Sequence, residues 1–226
     1  MAKKVKEEEI RQQNVAEAVS KTEEFFNKNS KYIYGCITAV LVIALLVICY
    51  NRFILQPKKA EAMEQMVQAE TWFAQGDYET ALNGDGNFLG FLDIIDQYGA
   101  KGGQSVYFYA GVASLQTGAY DDAISFLKKY KGEDPILLAR AQSCIGDAYV
   151  NKEEVETAIQ WFKKAAKTAF DTPYAAEYLI KAGIAAESLG MNDEALSFYK
   201  EVKDRYATSP EAAEIDKYIT RIQNAQ

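Results

Sequence analysis

The chain has 226 residues, with 25 Lys and Arg against 32 Asp and Glu, three cysteines and no histidine. The missing histidine excludes Ser-His-Asp and Cys-His catalysis, His-ligated zinc and proximal-histidine haem. A net charge of −7 argues against a general nucleic-acid binder, which presents a basic surface.

The charges are unevenly spread along the chain. Residues 1–31 carry seven basic and six acidic side chains, a leader of net charge +1. Within it, Ser20 and Glu23 have the spacing of a capping box and predict the start of a short helix.

Residues 32–51, YIYGCITAVLVIALLVICYN, carry no charge at all. A helix of twenty residues spans roughly 30 Å, the thickness of a bilayer's hydrocarbon core. Tyr32, Tyr34 and Tyr50 stand at its two ends, where amphipathic rings prefer the interface. A secretory signal is shorter and leads to a small-x-small cleavage site, which Asn51-Arg52-Phe53-Ile54 does not offer. The segment therefore reads as an uncleaved single span in contact with the lipid bilayer. Cys36 and Cys49 lie inside it and Cys144 far beyond, so the cysteines form no disulfide framework. Lys21, Lys28 and Lys31 on one flank balance Arg52, Lys58 and Lys59 on the other, and the positive-inside rule is tied.

Residues 52–226 hold eighteen basic and twenty-six acidic groups, net −8, and form a soluble repeat array. Four alanines, Ala81, Ala123, Ala158 and Ala195, recur at steps of 42, 35 and 37 residues. Each has an acid two residues before it and Leu or Ile one residue after. Five residues before them stand Gly76, Gly118, Glu153 and Gly190; twelve before, Ala69, Gly111, Gly146 and Gly183. Four residues after them stand Asp85, Leu127, Phe162 and Tyr199.

Each offset has a mechanical role. A small residue on a first helix and alanine on a second allow close packing, with the large residue four on filling the adjacent space. The glycine supplies the turn, and the acid meets the positive end of the second helix. Asp134-Pro135, Thr172-Pro173 and Ser209-Pro210 each predict an N-cap followed by proline at the first helical position. Ile215, Tyr218, Ile219 and Ile222 form an amphipathic stripe, and residues 210–224 read as a terminal capping helix.

This pattern resembles the tetratricopeptide repeat family, with W-x2-L-G-x2-Y on one helix and A-x3-F-x2-A on the next. The third unit matches best, through Ile145-Gly146, Tyr149, Ala158, Phe162 and Ala165. Together with the span, the resemblance implies an all-α chain: one N-terminal transmembrane helix, then an α-solenoid of about four helix pairs. The units fall at about residues 60–98, 104–135, 137–170 and 173–206, and Asn83-Gly84-Asp85-Gly86-Asn87 interrupts the first.

The family's inner groove is lined by the first helix of each unit. Carried onto this chain, the second unit offers Ser105, Phe108, Val112, Leu115 and Gln116. The third offers Arg140, Ser143, Asp147, Val150 and Asn151, and the fourth Glu177, Ile180, Ile184, Glu187 and Ser188. The degenerate first unit offers Met63, Met66 and Phe73. Apolar residues in such a groove suit the capture of peptide segments; cover by the capping helix or the first unit is the alternative.

No site for a metal or cofactor is expected. Residues 83–87 begin like a calcium loop, but Phe88 and Ile94 stand where an EF-hand needs Gly and Glu. Gly99-Ala100-Lys101-Gly102-Gly103 lacks the spacing of a phosphate-binding loop. Acid pairs such as Asp121-Asp122 and Glu153-Glu154 sit at expected helix starts, and no nucleophile has a base beside it. An enzyme is not expected.

The whole layout, with Glu24-Phe25-Phe26-Asn27-Lys28-Asn29-Ser30-Lys31 before the span and Ala81-Leu82-Asn83-Gly84-Asp85-Gly86 in the first unit, resembles the YfgM-like ancillary subunit of the bacterial Sec translocon. That resemblance implies an inner-membrane protein with a cytoplasmic N-terminus and a periplasmic array. It implies, as partners, the translocon channel subunits, a membrane-anchored periplasmic chaperone or prolyl isomerase, and emerging secreted polypeptides. A general cell-envelope scaffold and a cytoplasm-facing adaptor are the rival readings.

Overall fold

A computed structural model describes residues 2–170 and 172–225, in two units, residues 1–56 and 57–226. No strand occurs among the described residues.

The first unit is the helix α1, Ala2–Tyr50, followed by a π-helical turn, Asn51–Leu55. The expected capping box fails. Ser20 lies in the interior of α1, where no helix begins, and the side chain of Glu23 lies outside the described residues. The physical reason is composition: no Gly or Pro precedes Gly35, so nothing stops the helix between leader and apolar run. Along that run the large side chains are exposed, Val40 at 66% and Leu46 at 64%. The Thr38 hydroxyl donates back to the Tyr34 carbonyl at 2.8 Å, so this polar side chain is satisfied within the helix.

The second unit begins with α2, Gln56–Ala74, whose partner is split into α3, Tyr78–Asn83, and α4, Phe91–Tyr98. Three uninterrupted pairs follow: α5 (Ser105–Gln116) with α6 (Tyr120–Lys129), α7 (Pro135–Asn151) with α8 (Val155–Thr168), and α9 (Tyr174–Ser188) with α10 (Asn192–Arg205). The capping segment is not one α-helix: Pro210–Glu214 is a 3-10 turn, and α11 runs Ile215–Ala225. Its expected stripe is buried, with Ile215, Ile219 and Ile222 in one core with α8, α9 and α10.

The repeat offsets become contacts. A Cβ at Gly146 would lie 2.5 Å from Phe162 Cε1, and one at Gly111 2.5 Å from Leu127 Cγ. At Gly183 a Cβ would collide with the Tyr199 ring. The small residue of each first helix is thus the seat for the large residue of the second, with the repeat alanine fully buried beside it. In the first unit Asp85 takes the place of that large residue and faces water instead. Its carboxylate accepts the N–H groups of Asn87 and Phe88 at 2.9 and 2.8 Å, which holds its pKa below the usual range. Glycines at 84 and 90 let the chain cross itself there, because a Cβ on either would strike backbone. An aromatic cluster replaces the missing knob: Phe91 stacks on Tyr109 at 5.5 Å, and Phe73 meets Tyr109 edge-on at 5.1 Å.

The caps hold in two of the three expected places. Asp134 accepts from Ile136 N–H at 2.8 Å, and Ser209 from Ala212 N–H at 3.2 Å. Thr172 does not cap α9. Its hydroxyl donates at 2.8 Å to the Ala169 carbonyl, serving the open end of α8 instead. The turns at Gly76, Gly118 and Gly190 have positive φ, and in the third unit Glu153 adopts φ 62 at the same place.

Two outcomes follow. Gly→Ala in a helix interior ordinarily stabilises by about 1 kcal/mol; Gly146→Ala should instead cost about 1–3 kcal/mol, because Phe162 occupies the space. Urea unfolding of the full chain reads the sign. Glu153→Gly should raise stability by roughly 0.5–1 kcal/mol, the left-handed strain relieved less the added freedom of the unfolded chain. Amide exchange in α7 and α8 should slow accordingly.

Candidate partner-binding groove

The first helices of the last three pairs, α5, α7 and α9, share one concave surface. It holds a cavity of about 370 Å³ lined by Val112, Leu115 and Gln116 from α5, Ile136, Leu137, Arg140, Ser143, Cys144 and Asp147 from α7, and Tyr174, Glu177, Tyr178 and Lys181 from α9. An adjoining hollow of about 390 Å³ is lined by Leu115, Gln116, Tyr120, Asp147, Val150 and Asn151.

Ser143 and Tyr178 are buried in the cavity wall; most of the others reach the surface because the core claims the alternate helical positions. On α7, Ala139, Ala141, Ile145, Gly146 and Ala148 are buried, which turns Arg140, Asp147 and Val150 outward. Ile136 and Leu137 follow Pro135 in the first turn, ahead of that periodic core stripe, and stay about 40% exposed.

The electrostatics are mixed. Lys181 Nζ donates to both Asp147 oxygens at 2.8 and 3.1 Å and to Ser143 Oγ at 3.3 Å, with Glu177 at 3.8 Å. Arg140 is exposed and has no carboxylate partner among the described residues. Burial, with Asp147 nearby, pushes the Cys144 thiol up to about 11, so at neutral pH it stays protonated. Burial likewise raises the Tyr178 hydroxyl to about 12. No cluster of three or more Cys, Asp or Glu suited to a metal occurs among the described residues.

The structure brings Val112, Leu115, Arg140 and Asp147 together in the main cavity, and Val150 and Asn151 in the hollow beside it. Asn151 also accepts the Tyr120 hydroxyl at 3.2 Å. Other expected groove residues are placed otherwise. Phe108 is only 9% exposed and packs against Tyr109 and Tyr130, because α5 turns this face toward α6. Ile180 packs half-buried on the core of the last two pairs. Glu187 is engaged by the cap: it accepts the Tyr199 hydroxyl at 2.6 Å and Arg221 Nε at 3.0 Å, and it forms an ion pair with Arg221. Ile184 is 46% exposed but does not line the main cavity. In the first unit Met63 is exposed, Met66 is buried and Phe73 belongs to the aromatic cluster.

Sequence reasoning missed Ile136, Leu137, Tyr174, Tyr178 and Lys181. The signal was present: Ile136, Leu137 and Tyr174 are large apolar residues in the first turns of first helices, before the core stripe begins.

Two tetratricopeptide repeat profiles match the chain, at residues 139–172 and 177–209. These segments cover α7 with α8 and α9 with α10, the pairs of the best-formed groove. Among solved structures the chain is similar to the crystal structure of MamA, at 19% identity, over 69% of this chain and 92% of that one, with a TM-score of 0.49. No curated protein matches the chain.

The cap contact is pH-sensitive. Burial works to raise the Glu187 carboxyl, but Arg221 and the Tyr199 hydroxyl outweigh it and leave the pKa below its ordinary value. A depressed pKa gives stability that is present above the ordinary value of about 4.3 and is lost as pH falls through the folded one. Amide protection in α11 should therefore drop on acidification below about pH 4, and Glu187→Gln should flatten that pH dependence while leaving α5 unchanged.

Proposed function

We propose that this protein is a membrane-tethered, non-enzymatic adaptor that holds segments of partner polypeptides in the groove of α5, α7 and α9. The tetratricopeptide repeats make it a protein-interaction module. The observation that carries the reading is the groove's lining: exposed Ile136, Leu137 and Tyr174 beside an unpartnered Arg140, across three stacked first helices. Apolar side chains and charges of both signs on one concave wall suit an extended or helical peptide.

The tether is residues 32–51. They are uncharged, helical and exposed along their length, as lipid contact requires. Tethering supports function by raising the effective concentration of the groove near whatever emerges at that membrane. The layout of charged leader, span and acidic repeat array supports a place beside the bacterial Sec translocon. In this reading residues 1–31 are cytoplasmic and the array is periplasmic. Its partners there are channel subunits, a membrane-anchored chaperone or prolyl isomerase, and emerging secreted chains.

Photo-crosslinking from Leu137 and Ile184 in intact membranes tests this. Adducts with channel subunits or secreted chains in transit are expected, and Arg140→Glu with Leu137→Ser should weaken capture about tenfold. Adducts confined to one unrelated envelope protein would remove the translocon from the reading. Protease added outside spheroplasts should digest residues 60–226, and protection would invert the topology.

A further inference from the structure

The second helices of the array run parallel to one another, and each carries the same charge order. Acids occupy their first turns: Asp121 and Asp122 in α6, Glu156 in α8, Asp193 and Glu194 in α10. Bases occupy their last turns: Lys128 and Lys129, Lys167, and Lys203 with Arg205. Parallel stacking adds these local dipole complements into two edges of opposite sign.

Each edge is partly neutralised: Lys163 pairs with Glu194 at 3.2 Å at one, and Lys203 with Asp216 at 2.6 Å and Arg205 with Glu201 at 3.0 Å at the other. Lys152 lies on the acidic edge, paired with Asp121 at 2.6 Å and Glu154 at 3.1 Å. On the other edge Lys128, Lys129, Lys131, Lys164 and Lys167 have no carboxylate partner among the described residues. Helix dipoles account for a basic last turn, but not for Lys131 beyond α6 or for Lys164. The Lys128 and Lys164 ammonium groups stand 5.6 and 4.6 Å from the ring centre of partly buried Trp161, and Lys128 also donates to the Tyr149 hydroxyl at 3.2 Å. Unpaired lysines around a partly exposed indole make an interfacial combination.

At this edge the ends of second helices meet the starts of first helices. Burial and the neighbouring Glu61 carboxylate, near the start of α2 just after Lys58 and Lys59, raise the pKa of the Tyr98 hydroxyl at the end of α4. The backbone N–H of Lys131, after α6, donates to Gln104 before α5 at 2.9 Å. The Tyr206 hydroxyl, after α10, donates to the Phe170 carbonyl after α8 at 3.0 Å.

We propose that the edge bearing Lys128, Lys129, Lys131, Lys164 and Lys167 around Trp161 docks on the anionic headgroups of the membrane that the chain's own apolar helix crosses. This rests on the anchored reading above. An array of net charge −8 is repelled by an anionic surface unless it is oriented. Docking by this edge turns the acidic edge toward water and limits the array to one orientation over the bilayer.

Tryptophan quenching of the full chain tests it, in a Trp72→Phe background that leaves Trp161 alone. The chain is reconstituted in vesicles of phosphatidylcholine, with or without one third phosphatidylglycerol, that carry a headgroup nitroxide. Quenching should be strong only with phosphatidylglycerol and should be lost at high salt. It should fall at least fivefold in Lys128→Gln/Lys129→Gln/Lys164→Gln, since each lysine near such a surface contributes about that factor. Equal quenching in both vesicles, or an unchanged triple variant of native circular dichroism, overturns the proposal. So does a triple variant that instead alters sedimentation, which assigns the edge to a second copy of the chain. Flotation separates the two readings. An anchored chain floats with both vesicles and resists alkaline extraction, whatever the quenching. A chain that floats only with phosphatidylglycerol, and only with its lysines, sinks the anchor and keeps the edge.

Discussion

The array depends on a missing side chain. At Gly111, Gly146 and Gly183 the first helix of a pair offers bare backbone, and Leu127, Phe162 and Tyr199 of the second helix occupy that space. The alanine four residues earlier is fully buried alongside. Close packing leaves no slack for another carbon, since the interior is as dense as an organic crystal. The pair is therefore held at short range, and stacking such pairs buries a face that no single pair could cover. The groove is a by-product. The core takes the glycine and alanine stripe of α5, α7 and α9, and what remains of each first helix faces the concave side.

Both ends of the array modify this contact. At the C-terminal end Tyr199 seats its ring on Gly183 and sends its hydroxyl to Glu187, which also holds Arg221 of the capping helix. One side chain thus links pair packing, a groove position and the cap. Tyr218 adds ring contact at 5.1 Å from Tyr199, so α11 covers the last pair with aromatic as well as aliphatic surface. At the N-terminal end the knob is absent. Asp85 turns the chain outward, and Phe73, Phe91 and Tyr109 supply the bulk that a single leucine or aromatic provides elsewhere.

Charge follows the same repetition. A rule that acts on one helix, acids at its start and bases at its end, becomes a property of the whole surface once the second helices lie parallel. The array's net charge of −8 hides this order, because a sum carries no positions. The groove's ion pairs centre on Lys181, leaving Arg140 as its open charge.

The sequence alone determined the fold class, the uncharged run, the helix pairs and the offsets that join them. Each of these is a local or periodic constraint, written into spacing by the size of a side chain or the φ of a turn. The family resemblance, counted from the small residue of each unit, also put Val112, Leu115, Arg140 and Asp147 on the groove wall, where the cavity now gathers them. Tertiary structure decided what periodicity leaves open. Phe108 went to the core, since α6 comes close enough to cover it. Glu187 was taken by a residue 34 positions away. Thr172 turned back to the end of α8, and Ile136, Leu137 and Tyr174 stayed exposed where first helices extend past the core. Such outcomes depend on which surfaces meet across the array, and the spacing of residues along one helix does not encode that.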